Sequence, residues 1–172
     1  MASSGTAELL EKVKALSSAV RGHAPPPEST APSYEQPVIF LSLVSGTRGY
    51  LESLVHQING TYEHGWYDAC AVMIRRLVET LIIEAFEAHG IDSKIKNSHG
   101  DFLYLKDLID KTLAESVWNL SRNTKQCIRS LKDIGDKSAH SRRFVAHRRD
   151  VDGVIGDLRV VVQELVYLAK LK

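Results

Sequence analysis

The segment from residue 125 to residue 149 combines basic side chains with histidines. It holds eight lysines and arginines against two aspartates, together with His140 and His147. Imidazole can transfer a proton near neutral pH, and guanidinium can stabilise the negative charge that develops on a phosphate. This combination suits metal-independent cleavage of RNA, with the ribose 2′-hydroxyl as nucleophile. A solvated basic surface without a ligand fits the same residues, so both interpretations stay open.

A shorter constellation lies in the sequence IRRLVE at residues 74–79. Arg75 and Glu79 are four residues apart, so they can pair along one face of a helix. Such a pair could support a nearby site, or it could be a surface ion pair of little energy.

The sequence IGDKSAH at residues 134–140 interrupts the helical pattern, and we expect this interruption to extend to Phe144. Gly135 is expected to end a helix, and Asp136 to accept hydrogen bonds from the exposed backbone. His140 would then stand beside arginines in a polar loop, a common position for functional residues. The alternative is a helix C-cap with a structural histidine.

Several other classes of site lack their sequence pattern. No glycine-rich phosphate loop, His-Glu-x-x-His motif, EF-hand or paired-cysteine spacing occurs in the chain. Cys70 and Cys127 fall on apolar helix faces and are interpreted as core residues. We therefore expect no metal site and no cofactor.

Composition limits the class of protein. The formal net charge of +1 is an average, because residues 125–149 carry an excess of six positive charges and the rest of the chain an excess of five negative ones. A globally basic nucleic-acid binder is thus excluded, but a local basic site is not. The chain has no run of 18 apolar residues and no secretory signal pattern. We expect a cytoplasmic protein that does not associate with membranes.

The proline positions divide the chain. All five prolines lie between Pro25 and Pro37. We predict an amphipathic N-terminal helix within residues 1–22, a Pro-rich linker at 23–37 and a helical body at 38–172. The N-terminal helix would be either a loose tethered element or a segment that recruits a partner protein.

The body has the pattern of an all-α fold, an antiparallel bundle of about four to five helices. The short apolar run Val38–Val44 fits a helix or a strand. In the best-defined helix, Ala69, Cys70, Met73 and Leu77 begin the predicted inward face. Val117 is expected to face inward in a later helix. The predicted helices are Tyr50–Asn59, Trp66–His89, Phe102–Thr112, Ser116–Ile134 and Val145–Leu171.

The two motifs together resemble the HEPN superfamily (higher eukaryote and prokaryote nucleotide-binding domains), and more closely a bacterial branch linked to defence loci. The resemblance rests on AVMIRRLVE at Ala71–Glu79 and on LKDIGDKSAH at Leu131–His140, followed by a long final helix. It covers about Tyr62 to Lys172. It implies a helical homodimer whose two motif loops face each other across a basic cleft, and metal-independent endoribonuclease activity in active members.

The resemblance also implies roles for individual residues. The family motif runs from an arginine through a polar residue to a histidine, matched here by Asp136 and His140, whereas Gly135 stands in place of the arginine. A second spacing match runs from Arg142 to His147. The expected catalytic residues are His140 for proton transfer, Asp136 to orient it, and Arg142 to stabilise phosphate. Phosphate-binding residues would be Lys132, Lys137, Arg143, His147 and Arg148, with Arg75 and Glu79 in support.

Three functions remain open at this point. The first is an RNA-cleaving or RNA-binding protein of a defence or toxin system. The second is a non-catalytic HEPN-like module that binds RNA, a nucleotide or a protein, which the missing arginine favours. The third is a pure assembly module that acts through dimerisation and protein interaction.

Overall fold

The structure is a computed structural model that describes residues 11–15 and 36–172. The chain divides into two compact units, Met1–Ser33 and Tyr34–Lys172. In the first unit, residues 11–15 are helical and exposed. The remainder of the predicted N-terminal helix and most of the predicted linker lie outside the described residues. No helix in the described part of the chain is both long enough and apolar enough to cross a membrane.

The second unit is helical, which confirms the all-α prediction. Residues 36–172 contain no β-strand, only one isolated antiparallel bridge between Lys96 and Phe102. Two 3-10 helices occupy Leu41–Leu43 and Asp92–Ile95. The α-helices of this unit are α1 (Gly49–Glu63), α2 (Tyr67–Ala88), α3 (Leu105–Ala114), α4 (Arg122–His140) and α5 (Arg148–Leu168).

Helix α2 is the centre of the bundle, packing against the other four α-helices. Its predicted inward face is largely correct, because Cys70, Leu77 and Leu81 are buried and Met73 is half-buried. Ala69 is exposed instead. The helix buries more than one stripe because it has neighbours on several sides. Its buried residues are Tyr67, Cys70, Ala71, Ile74, Leu77, Val78, Leu81, Ile82, Ala85 and Phe86.

The segment before α4 differs from the prediction. The helix begins at Arg122 rather than Ser116, and Ser121 caps it by accepting a hydrogen bond from the backbone N–H of Thr124 at 3.2 Å. The preceding residues form a connection in which Trp118 is buried edge-on against Phe86, and Val117 is 51% exposed. The prediction that Val117 faces inward is therefore wrong.

Gly60, which follows the predicted helix Tyr50–Asn59, and Gly135, which was expected to end a helix, both lie inside helices. Helix α1 continues through Gly60 to Glu63, and α4 continues through Gly135 to His140. The predicted interruption from Gly135 to Phe144 is thus reduced to a connection at residues 141–147. The reason at Gly135 is a tertiary contact with α2, described below.

The last helix, α5, lies within the predicted helix Val145–Leu171 and buries an apolar stripe in the core. Residues Val151, Ile155, Leu158, Val161, Val162 and Leu165 are buried. Its middle is tied to the start of the body, because the guanidinium of Arg159 donates hydrogen bonds to the carbonyl oxygens of Val38 and Pro37, at 3.0 and 2.6 Å. These bonds hold α5 against the segment that precedes the first 3-10 helix.

Candidate functional site

Gly135 is the point of closest approach between α4 and α2. A Cβ atom at this position would lie 2.4 Å from the Cβ of Arg75 and 2.9 Å from the carbonyl oxygen of Ala71. Real Cβ atoms do not come so near to other heavy atoms. The position therefore requires glycine, and the arginine that the family motif places here cannot be accommodated in this packing.

A cluster of four charged side chains surrounds this contact; we call it the junction cluster, and it consists of Arg75, Glu79, Lys132 and Asp136. Arg75 donates one hydrogen bond from Nε to Asp136 Oδ1 at 2.7 Å and another from Nη1 to Glu79 Oε2 at 3.1 Å. Lys132 Nζ donates to the other carboxylate oxygen of Asp136 at 2.5 Å. The predicted pairing of Arg75 with Glu79 is confirmed.

The junction cluster is half-buried and electrostatically satisfied. Its side chains are 19–30% exposed. Burial alone would raise the pKa of Asp136, but the hydrogen bonds from Lys132 and Arg75 outweigh it, so the pKa lies below its ordinary value. The hydrogen bond to Asp136 likewise raises the pKa of Lys132. Both oxygens of Asp136 are held by cations, and this carboxylate joins α2 to α4.

The C-terminal end of α4 exposes its polar side chains. His140 is the last residue of the helix and is exposed, as is Lys137. Within residues 11–15 and 36–172 the imidazole of His140 forms no hydrogen bond. It is thus accessible from solvent, one helical turn beyond the occupied carboxylate of Asp136.

The connection between α4 and α5 is anchored through its backbone. Ser141 Oγ accepts a hydrogen bond from the N–H of Phe144 at 3.2 Å, and Asp68 of α2 accepts one from Ala146 at 3.0 Å. At the start of α5, the carboxylate of Asp150 accepts from the N–H of His147 at 2.9 Å. Because these bonds use the backbone, the connection is held while its long side chains remain outside.

Those long side chains complete a surface that we call the basic turn, consisting of Lys137, His140, Arg142, Arg143 and His147. All five are exposed. In the described part of the chain, Arg142 and Arg143 form no ion pair with an acidic side chain. Arg142 and Arg143 therefore present positive charge to solvent without a paired acidic side chain among residues 36–172.

Arg148, predicted to bind phosphate, belongs to a separate network. Its Nε donates to the hydroxyl of Tyr62 at 3.1 Å and lies 3.6 Å from a carboxylate oxygen of Asp152. Tyr62 in turn donates to Asp152. Burial and the bond to Asp152 raise the pKa of Tyr62 to about 12, so its hydroxyl stays protonated. This network joins α1 to α5.

Lys132 also borders a cleft of about 210 Å³ between α3 and α4. Lys106 and Arg129 are neighbours of Lys132 here, and the sequence did not predict them, because helix periodicity does not reveal which two helices meet. Arg129 is already paired with Asp110 at 2.8 Å. The residues that line the cleft are Lys106, Ile109, Arg129, Lys132 and Asp133.

The two cysteines have different surroundings in the bundle. Cys70 is buried, and burial raises the pKa of its thiol to about 12, which confirms its interpretation as a core residue. Cys127 is half-buried and its Sγ donates to the carbonyl of Asn123. Among the described residues, no three histidine, cysteine or acidic side chains are grouped so that they could hold a metal ion.

The chain as a whole was compared with known proteins. It matches no family model, no curated protein and no solved structure.

Proposed function

We propose that this protein is a HEPN-like domain that binds RNA or a nucleotide through the basic turn. The observation that carries the proposal is the exposed, unneutralised charge of Arg142 and Arg143 beside His140, on a connection whose backbone is anchored. Guanidinium groups form short, charge-assisted and often bidentate bonds with phosphate. A polyanion therefore provides the partners that these side chains lack in the described part of the chain.

The separation of the two charged regions supports this assignment. Asp136 is bonded to Arg75 and Lys132, so it does not compete with phosphate for Arg142 and Arg143. Phosphate contacts made by exposed cations release condensed counterions, which makes the affinity fall as salt rises. The proposed function thus has a specific experimental signature.

The test is the affinity for a single-stranded RNA oligonucleotide, measured by fluorescence anisotropy at several salt concentrations. The double variant Arg142→Gln/Arg143→Gln removes two cations of the basic turn. Loss of two phosphate contacts should reduce the slope of log K against log salt by about 1.4. ATP added as competitor separates a nucleotide site, which it would occupy at low concentration, from a longer RNA surface.

The matched control is Arg122→Gln/Lys125→Gln, at the opposite end of α4 on exposed positions. It removes the same charge at positions about 22 and 27 Å from His140 along the helix. An equal loss of affinity in both variants would show that binding depends only on the net charge of the protein, and this would contradict the proposal.

Metal-independent RNA cleavage is the second candidate, and the accessible imidazole of His140 favours it. An imidazole can transfer protons near neutral pH, and neighbouring arginines can stabilise the pentavalent phosphate. The test is cleavage of RNA in EDTA by the natural protein and by His140→Ala. Product from the natural protein alone supports catalysis, and product from neither excludes it but leaves binding intact.

The resemblance to the HEPN branch linked to defence loci also suggests a role in defence or as a toxin, and this role is part of the proposal. Expression of the natural protein and of the Arg142→Gln/Arg143→Gln variant in a bacterial host tests it. Growth inhibition that depends on the two arginines is the expected result, and equal growth of both strains would contradict it.

A further inference from the structure

A second turn lies at the same end of the bundle as the basic turn. Residues 64–66 join α1 to α2, and we call them the aromatic turn because they include two exposed rings. Asp68, two residues after Trp66, accepts the hydrogen bond from the backbone N–H of Ala146 at 3.0 Å. The network of Arg148 likewise joins the start of α5 to the end of α1. These contacts place the two turns at one end of the bundle.

The indole of Trp66 is open to solvent. It is 47% exposed, whereas the other tryptophan, Trp118, is 8% exposed and packs against Phe86. The imidazole of His64, which is also exposed, lies beside the indole with ring centroids 5.1 Å apart and planes inclined by 31°. A single exposed apolar residue is ordinary on a protein surface, but this one belongs to a pair of rings at the same end as a group of cations.

The aromatic turn is held by hydrogen bonds to the end of α1. Gly65 has a φ of +75°, a left-handed conformation that favours glycine and reverses the chain. The backbone N–H of Trp66 donates to the carbonyl oxygen of Thr61 at 2.8 Å. His64 Nδ1 donates to the carbonyl oxygen of Gly60 at 2.7 Å, which fixes the orientation of the imidazole. Because this arrangement exists before a ligand binds, less conformational entropy is lost on binding.

The two turns are close enough for one ligand to contact both. The bond between Asp68 and Ala146 limits the distance between the Cα atoms of Trp66 and Arg143 to about 24 Å, from the lengths of chain on either side. Binding sites for single-stranded nucleic acid extend over about 4–16 nucleotides. Such sites combine a positively charged surface for the backbone with aromatic side chains on which bases stack. The two turns supply these two components.

We propose that the two turns together bind single-stranded RNA, with a base stacked on Trp66 and phosphates bound by Arg142 and Arg143. This inference rests on the proposed function for its phosphate contacts, and it adds that the ligand presents unpaired bases. The faces of paired bases are covered by their neighbours in a duplex, so they cannot stack on the indole. Every base has an aromatic face, so we expect little preference for sequence.

The first test is the affinity for oligoadenylate, measured by fluorescence anisotropy at several salt concentrations. Trp66→Ala should lower the affinity by about 5- to 150-fold, the cost of losing one stacked base. It should leave the slope of log K against log salt unchanged, because a stacked base releases no counterions. Arg142→Gln/Arg143→Gln should instead change the slope. The two variants therefore separate stacking from phosphate binding.

The matched control is Tyr104→Ala, which removes an exposed aromatic ring near the other end of α2. Tyr104 is 85% exposed, and its side chain does not cap α3. It follows Leu103, whose N–H donates to the carbonyl oxygen of Ile95, beyond the end of α2, at 2.9 Å. This variant should bind oligoadenylate like the natural protein. Circular dichroism confirms that both alanine variants are folded.

Tryptophan fluorescence gives an independent readout. Trp66 and Trp118 are the only tryptophans in the chain, and Trp118 is buried. Oligoadenylate should quench the fluorescence of the natural protein, because a stacked base contacts the indole of Trp66. Inorganic polyphosphate carries charge without bases and should not quench it, and Trp66→Phe should respond to neither ligand.

Failure of this inference is distinguishable from failure of the proposed function. If Trp66→Ala binds oligoadenylate as tightly as the natural protein while the arginine variant still changes the salt slope, the basic turn binds phosphate without the aromatic turn, and this inference is overturned. Equal affinity for a single strand and for a duplex of the same sequence also overturns it. If the natural protein binds no RNA, the proposed function fails, and this inference fails with it.

Discussion

The junction cluster and the basic turn come from the same stretch of sequence but differ in what their charges do. Lys132 and Asp136 face α2, where Arg75 completes a set of half-buried ion pairs. Arg142 and Arg143 lie a few residues later and project into solvent. A cluster of charge in the sequence therefore does not indicate function by itself. Neighbouring cations can be paired with carboxylates between helices, or they can remain exposed and available to a ligand. The following predictions test this difference in order of expected effect.

The largest effect is expected from Gly135→Ala. Its Cβ would collide with the backbone carbonyl of Ala71 and with Arg75, and neither can move away without displacing α2. We expect a loss of about 3 kcal/mol in the free energy of unfolding, measured by urea denaturation. Wild-type stability in this variant would mean that α4 does not approach α2 as closely as described.

The next largest effect is expected from Asp136→Asn. The substitution leaves Arg75 and Lys132 half-buried without their shared anion, and partial exposure limits the loss to about 1–2 kcal/mol. We expect urea denaturation at pH 7 to detect it. A loss as small as that of an exposed control such as Asp157→Asn would contradict the role of the cluster in joining the helices.

The same substitution has a pH signature. Because the folded-state pKa of Asp136 is lowered, its contribution is present above its unfolded pKa of about 3.9 and is lost as pH falls through the folded value. The stability difference between the natural protein and Asp136→Asn should therefore shrink below about pH 4. A difference that grows on acidification would reverse the assigned direction.

A smaller pair of effects compares the two regions directly. Arg142→Gln should leave stability unchanged and reduce the salt slope of RNA binding by about 0.7. Lys132→Gln should lower the stability and leave the salt slope of RNA binding unchanged, since the ammonium of Lys132 is bonded to Asp136. Stability and salt slope are measured on both variants. If the two variants behave alike, the junction cluster and the basic turn do not have separate roles.

The smallest effect is expected from Gly153→Ala. This glycine is exposed in α5, and a Cβ there would meet no atom within 4 Å. Alanine should stabilise the protein by about 0.5–1 kcal/mol through its helix propensity. The midpoint temperature of thermal unfolding should rise in this variant and fall in Gly135→Ala, relative to the natural protein. The two variants thus contrast an open glycine with a packed one.

The sequence predicted those parts of the fold in which local pattern and tertiary packing agree. Helix α2 was predicted nearly to its ends, because its apolar residues repeat at helical spacing over 22 residues. The pair Arg75–Glu79 followed from the same periodicity. The predicted start of α4 at Ser116 was wrong. The apolar residues Val117, Trp118 and Leu120 extend the helical pattern, but they precede the helix in a connection anchored by the buried indole of Trp118.

The candidate site was predictable only in part. The basic turn was recognised from the concentration of charge in its stretch of sequence. The junction cluster was not recognised from the sequence, since its key hydrogen bond joins Arg75 to Asp136 across 61 residues. Nothing local distinguishes Arg148, which is bound to Tyr62 and Asp152, from Arg142, which faces solvent.

By itself, the sequence determined that the body of this protein is helical and that its positive charge is concentrated between residues 125 and 149. These properties depend on periodicity and composition, which act over one or two helical turns. Only the tertiary structure decided that Gly135 continues a helix, because that outcome depends on the carbonyl of Ala71 and the side chain of Arg75 on another helix. It also decided which cations remain exposed, since burial and pairing are properties of the packed bundle.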